Sequence, residues 1–177
     1  LEFRRVLFRS VSRPRRPVTI DGRLDDWADA PGFVAWLGGD ESAAESVAGR
    51  MMYDADRLYI AARVTDPAPL ASRVNSAIDP DDGWRGGAIQ VRLSTDRRLG
   101  WPIDANAPNY YRMRGIEPSE ADKQAATNPR LAHLTMWYHA ASQTPCLTIQ
   151  HGMLTGEMLA NPSGFEGAFA PATDGRG

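Results

Sequence analysis

The stretch from Val47 to Thr65 constrains this chain more than any other. Val47–Tyr53 and Leu58–Thr65 flank Asp54-Ala55-Asp56, and in the second segment Leu58, Ile60, Ala62 and Val64 alternate with Tyr59, Ala61, Arg63 and Thr65. A period of two belongs to a β-strand, and a turn this short joins antiparallel neighbours, so the stretch predicts a β-hairpin. Asp66-Pro67-Ala68-Pro69 ends it, because proline removes a ladder donor and restricts the residue before it.

The rest of the chain reads in the same register of short strands and turns. Val18-Thr19-Ile20 is a β-branched run leading into Asp21-Gly22, a turn dipeptide whose glycine can take positive φ. Leu24 and Trp27 stand three apart, as one helical turn would place them, which predicts Trp27 as a plug at the end of the fold. Ala88–Ser94 predicts a strand with an apolar face of Ile89, Val91 and Leu93 and a polar face of Ala88, Gln90 and Arg92. Leu131–His139 and Cys146–Met153 are two more, joined through Ala140–Pro145, and Asn161-Pro162-Ser163-Gly164 is a turn. Arg97–Asn128 is an irregular insertion, a kind of segment that is usually functional or disordered. With hardly any helical periodicity, the expected class is all-β: an antiparallel β-sandwich, immunoglobulin-like or jelly-roll-like.

Composition narrows the function. The 177 residues are 42% hydrophobic and 24% charged, enough for one buried core, and the formal charge of −2 offers no basic stripe for nucleic acid. The single cysteine, Cys146, excludes an internal disulfide and a thiolate zinc site built from this chain alone. No apolar run is long enough for a membrane helix. Glu2–Ser10, EFRRVLFRS, reads as a translated short-read sequencing adapter, so residues 1–10 are set apart from the fold; 11–17 reads as a linker and 18–177 as the domain. The chain stops on turn residues, so the sandwich is expected to be truncated at both ends, with C-terminal strands and any signal peptide outside it.

Three segments carry a resemblance: IDGRLDDW at Ile20–Trp27, MMYDADRLYIAARVTDP at Met51–Pro67 and WRGGAIQVRL at Trp84–Leu93. In this order, and over about half the chain, they are similar to the family 9 carbohydrate-binding modules and to the wider group of sandwiches with the same fold, which includes haem-binding cytochrome domains. The first two segments are structural. The third implies a sugar site: in the family, a tryptophan precedes a Gly-Asp pair and a strand bearing a glutamate. Here Trp84 holds the aromatic position, while Gly87 replaces the aspartate and Gln90 the glutamate. Glutamine can still donate to and accept from hydroxyls but loses the charge-assisted bond.

The resemblance therefore implies a non-catalytic domain that holds a polysaccharide or a sugar end near an attached catalytic domain, in a bacterial extracellular, periplasmic or envelope protein. Trp84 would stack on a pyranose, whose C–H face suits a flat aromatic, and Gln90, Arg63 and Arg92 would bond to hydroxyls from polar strand faces. The alternatives for these residues are a solvated sheet face for the arginines and a packed loop anchor for Trp84. On Leu131–His139, Thr135, Trp137 and His139 share one face and Leu134, Met136 and Tyr138 the other. If the latter is core, Trp137 is the second half of a sugar clamp, and if not, it is packing. Trp101 is a further aromatic candidate.

The haem-binding relatives imply the rival reading, an electron-transfer domain holding haem b through a methionine with a histidine or lysine. Met136, His139 and His151 are the ligands it would use here, with Met113 and His133 as further choices. Asp79, Asp81 and Asp82 could hold calcium or simply form a polar turn. A purely structural sandwich is the third possibility. No GxSxG elbow, zinc-helix spacing or triad is present, and nothing in the sequence demands catalysis.

Overall fold

The computed structural model describes residues 11–36, 44–66, 72, 75, 79, 82–94, 131–151 and 158–171, and of residues 94, 131 and 151 the backbone alone. The all-β expectation holds. Two antiparallel sheets of three and four strands form, the complement from which a sandwich is built. Contacts divide the chain into two compact units, Leu1–Leu70 with Glu166–Gly177 and Ala71–Phe165.

The first unit holds β1 (Gly32–Trp36), β2 (Ser46–Tyr53) and β3 (Leu58–Thr65), in that order across the sheet. The hairpin read from the sequence is β2–β3, paired from Ser46↔Thr65 to Tyr53↔Leu58. Its turn is closed by Asp54, whose Oδ1 accepts from the backbone N–H groups of Asp56 and Arg57 at 2.9 and 2.8 Å while Oδ2 accepts from the Tyr59 hydroxyl at 2.7 Å. The Tyr59 bond, followed by those two backbone bonds, holds the Asp54 carboxyl below its ordinary pKa.

A 3-10 turn over Asp25–Trp27 buries Trp27 together with Ala30 and Met52, and Val18, Tyr59 and Ala61 pack against them. The Trp27 and Tyr59 rings meet edge to face with centroids 6.5 Å apart. Tyr59 and Ala61 share a face of β3, and their row faces this cluster, whereas Leu58 in the more apolar row is exposed. Arg50 ties the turn to β2 by donating to the carbonyls of Ala28 and Ala30 at 3.1 and 2.5 Å. Val18-Thr19-Ile20 forms no strand. The Thr19 N–H instead donates to Asp26 Oδ2 at 3.0 Å. Gly22 has φ +81°, as a turn glycine should, and a Cβ there would lie 2.9 Å from the Ala170 backbone nitrogen. Within 11–17, Ser12 makes an isolated parallel bridge to Met52, and its carbonyl accepts from the Tyr53 N–H at 3.1 Å, so this stretch contributes to the first sheet.

The second unit contains β4 (Ala88–Ser94), β5 (Leu131–His139), β6 (Thr144–His151) and β7 (Met158–Ala160), antiparallel and in sequence order. β4 and β5 match the expected bounds. β6 begins two residues earlier than expected, and among the described residues it ends at His151, short of Met153. The turn after β7 is also as read: Asn161, at φ +42°, exchanges bonds with Leu147 through its backbone N–H and its Oδ1, both 2.8 Å. β1 and β7 were not anticipated from the sequence.

Candidate functional site

Registration across the second sheet determines which side chains share a face, because residues directly opposite one another project to the same side. Arg92 faces His133, which faces Gln150; Gln90 faces Thr135, which faces Thr148; Ala88 faces Trp137, which faces Cys146. These three rows form one face. The other carries Ile89, Val91, Ala132, Leu134, Met136, Leu147 and Ile149, with the positions of Tyr138 and His151 toward its two ends, and is apolar along its middle. The expected division of β4 into apolar and polar faces is thus carried across the sheet.

The polar face is open at the β4 edge and closed toward its centre. Gln90 and Arg92 are exposed and His133 half-buried, whereas Thr135, Trp137, Cys146 and Thr148 are buried. The apolar face also buries Leu134 and Leu147, so the expectation that only one face of β5 could be core is corrected: this interior strand is covered on both sides. Trp137 is 4% exposed, and a Cβ built on Gly83 would stand 2.3 Å from its ring. That close packing makes Trp137 the floor beneath the turn at residues 82–87, and the reading of Trp137 as an open half of a sugar clamp is withdrawn.

The turn held in this way presents Trp84. It is closed by backbone bonds from Asp82 N–H to Asp79 O at 3.2 Å and from Arg85 N–H to Asp82 O at 2.8 Å, and by an Arg85–Asp82 ion pair at 3.2 Å. Trp84 is 53% exposed, with the Arg85 guanidinium 5.2 Å from its ring centroid. Because Gly83 rests on Trp137, the turn lies on the face that carries Gln90 and Arg92. β4 rises about 3.4 Å per residue, so the Trp137 row and the Arg92 row are about 14 Å apart. An exposed indole thus stands at one end of a polar edge and a guanidinium at the other.

Gln90 Oε1 lies 3.2 Å from His133 Nε2, and with Oε1 as acceptor the imidazole carries its proton on Nε2. Burial, aided by the Arg92 charge, pushes the His133 pKa down to about 4. A folded-state pKa below the ordinary value of 6.5 favours the neutral ring, so its contribution is complete above about pH 6.5 and is lost as pH falls toward 4. The whole shift would correspond to about 3 kcal/mol, and partial exposure of the ring reduces this to roughly 2. Urea midpoints at pH 7.5 and 4.5 check this: the wild-type chain is expected to lose roughly 2 kcal/mol more than His133→Gln over that interval. Equal losses would show that His133 does not carry the acid sensitivity over this interval.

The remaining site residues are dispersed. Arg63 is exposed on β3 opposite Ala48, in the first unit. Met136 and His139 are three apart on one strand and project to opposite faces, and His139 Nδ1 lies 2.6 Å from Ser142 Oγ, so the two do not converge on one iron. His151 occupies the position of β6 opposite Ala132. The Asp82 carboxylate is engaged by Arg85, Asp79 is exposed, and no metal-binding group of three acidic, histidine or cysteine residues occurs among the described residues. Asp81, Trp101 and Met113 lie outside the described residues. No described helix is long and apolar enough to cross a membrane. His133 beside Gln90 and Gly83 beneath Trp84 were missed in the sequence; alternation on β5 was the one available signal for the first. No family model matches this chain, and no curated protein or solved structure matches it either.

Proposed function

We propose that this chain is a non-catalytic carbohydrate-binding domain whose sugar lies along the β4 edge, stacked on Trp84 and hydrogen-bonded by Gln90 and Arg92. The observation that carries the reading is the exposed Trp84 indole, held on a turn that packs against Trp137 and placed on the same face as these polar side chains. Trp84 is about half exposed even with the Arg85 guanidinium over its ring, and the C–H face of a pyranose is a suitable cover for the apolar surface that remains open. Hydroxyls of successive sugar residues along the edge then meet an amide and a guanidinium, which supply the directional bonds that apolar stacking lacks. Such a domain would serve an attached catalytic domain in an extracellular or envelope protein by holding it on its polymer.

The test is depletion of the chain from solution by a panel of soluble and insoluble polysaccharides, with Trp84→Ala run beside it. Saturable binding is expected, and Trp84→Ala should weaken it at least about tenfold, in line with the cost of removing a stacking aromatic. Far-UV circular dichroism should be unchanged, because the side chain is exposed. Equal affinity in the variant would remove the indole from the site, and a Soret band in the purified protein would return the haem reading.

A further inference from the structure

We propose that Asp82 and Arg85 are positioning residues for the sugar site: the Asp82 carboxylate holds the Arg85 guanidinium, and the guanidinium holds one face of the Trp84 indole so that the opposite face is presented to the pyranose. This rests on the carbohydrate reading above and adds the two residues that fix its stacking platform.

The backbone sets up the contact. Side chains of consecutive residues ordinarily diverge, but here the chain folds back at Arg85, with the Gly86 N–H donating to the Trp84 carbonyl at 3.2 Å in a three-residue turn. Gly86 has φ +142°, a conformation that suits glycine. Asp82 then grips Arg85 twice. Its carbonyl accepts from the Arg85 N–H at 2.8 Å, and its Oδ1 lies 3.2 Å from the Arg85 Nε. The root and the far end of the arginine side chain are thus tied to one residue, and the next residue, Gly83, is seated on the Trp137 ring.

The guanidinium fixed in this way lies 5.2 Å from the Trp84 ring centroid, within the range at which a cation is attracted to an aromatic face. An indole left 53% exposed on a turn would otherwise sample several staggered rotamers, and a ligand binds only the one that faces it. Holding that rotamer in advance removes the ordering cost from the binding step. The Asp82 and Arg85 side chains are 39% and 62% exposed, so the clamp is screened by salt and contributes little to folding. Its effect therefore falls on the ligand.

The experiment compares the full chain with Arg85→Ala, Arg85→Lys and Asp82→Asn, both in binding to soluble xylan, galactan and mixed-linkage β-glucan and in the motion of Trp84 without ligand. That motion is read from the nanosecond decay of tryptophan fluorescence anisotropy, with the Trp84 share obtained as the difference from the same chain carrying Trp84→Ala. In Arg85→Ala the fast component is expected to grow and sugar affinity to fall about three- to fivefold, with the urea midpoint unchanged. Arg85→Lys should recover part of that loss, because it keeps the cation but not the flat fork. Asp82→Asn should weaken binding about twofold, and adding it to Arg85→Ala should change nothing further, since Asp82 acts through Arg85. Binding of these neutral polymers should also weaken as salt rises, less so in Arg85→Ala. Unchanged affinity in Arg85→Ala, an indole no more mobile there than in the wild type, or additive losses from the two substitutions would overturn the proposal. A wild-type chain that binds no polysaccharide would overturn the carbohydrate reading itself, and the positioning role with it.

Discussion

Trp137→Ala is expected to lower the stability of the unit that contains it by about 3–5 kcal/mol, the range for deleting a buried large aromatic. Trp137 is 4% exposed on an interior strand, beside buried Cys146 on β6 and beneath Gly83. Removing the indole leaves a void bounded by β-sheet on one side and a turn on the other, and the sheet cannot collapse into it without losing registration. The measurement is a urea transition followed by far-UV circular dichroism, since fluorescence would lose one of its reporters. The contrast with Trp84 is the informative part. Trp84→Ala should change the unfolding free energy by no more than about 0.5 kcal/mol, as exposed substitutions do, while abolishing most of the ligand affinity. A small cost for Trp137→Ala would mean that the turn closes over the gap, and the account of Trp137 as its floor would be wrong.

These two tryptophans also mark where the sequence could be read and where it could not. β2, β3, β4 and β5 are legible because each carries seven or more residues with alternation or β-branched content, and Asp54 and Gly22 announce their turns. β7 has three residues, too few for any period to show, and β1 is a five-residue run whose strand-favouring residues, Phe33, Val34 and Trp36, do not alternate with polar ones. The site followed the same rule. Trp84, Gln90 and Arg92 are close in sequence around one strand, so alternation alone groups the last two and the preceding turn brings the first near them. Facts that depend on registration between distant segments were not available. His133 reaches Gln90 across 43 positions, and whether Trp137 points at solvent or at a glycine backbone depends on what covers β5, which no strand pattern encodes. Arg63 illustrates a related limit: facing the polar side of a strand says nothing about which sheet that strand joins, and β3 joins the first.

Gly83→Ala is expected to cost roughly 2–3 kcal/mol, at the upper end of the range for overpacking. A Cβ at position 83 would lie 2.3, 2.5 and 2.7 Å from three carbons of the Trp137 six-membered ring, closer than real contacts allow, and the neighbour is a buried planar ring with little room to yield. The turn must lift instead, and because it carries Trp84, ligand affinity should fall together with stability. The cause can be isolated in a double-mutant cycle with Trp137→Phe, whose shorter ring withdraws from the contact. In that background Gly83→Ala should cost at least 1 kcal/mol less than in the wild type, the non-additivity expected of residues in direct contact. Additive costs would show that something other than Trp137 confines Gly83. A cycle that couples in stability and in sugar affinity alike would tie the buried tryptophan to the exposed one through a single glycine, so that Trp137 acts on the ligand only by fixing the height at which Trp84 is held.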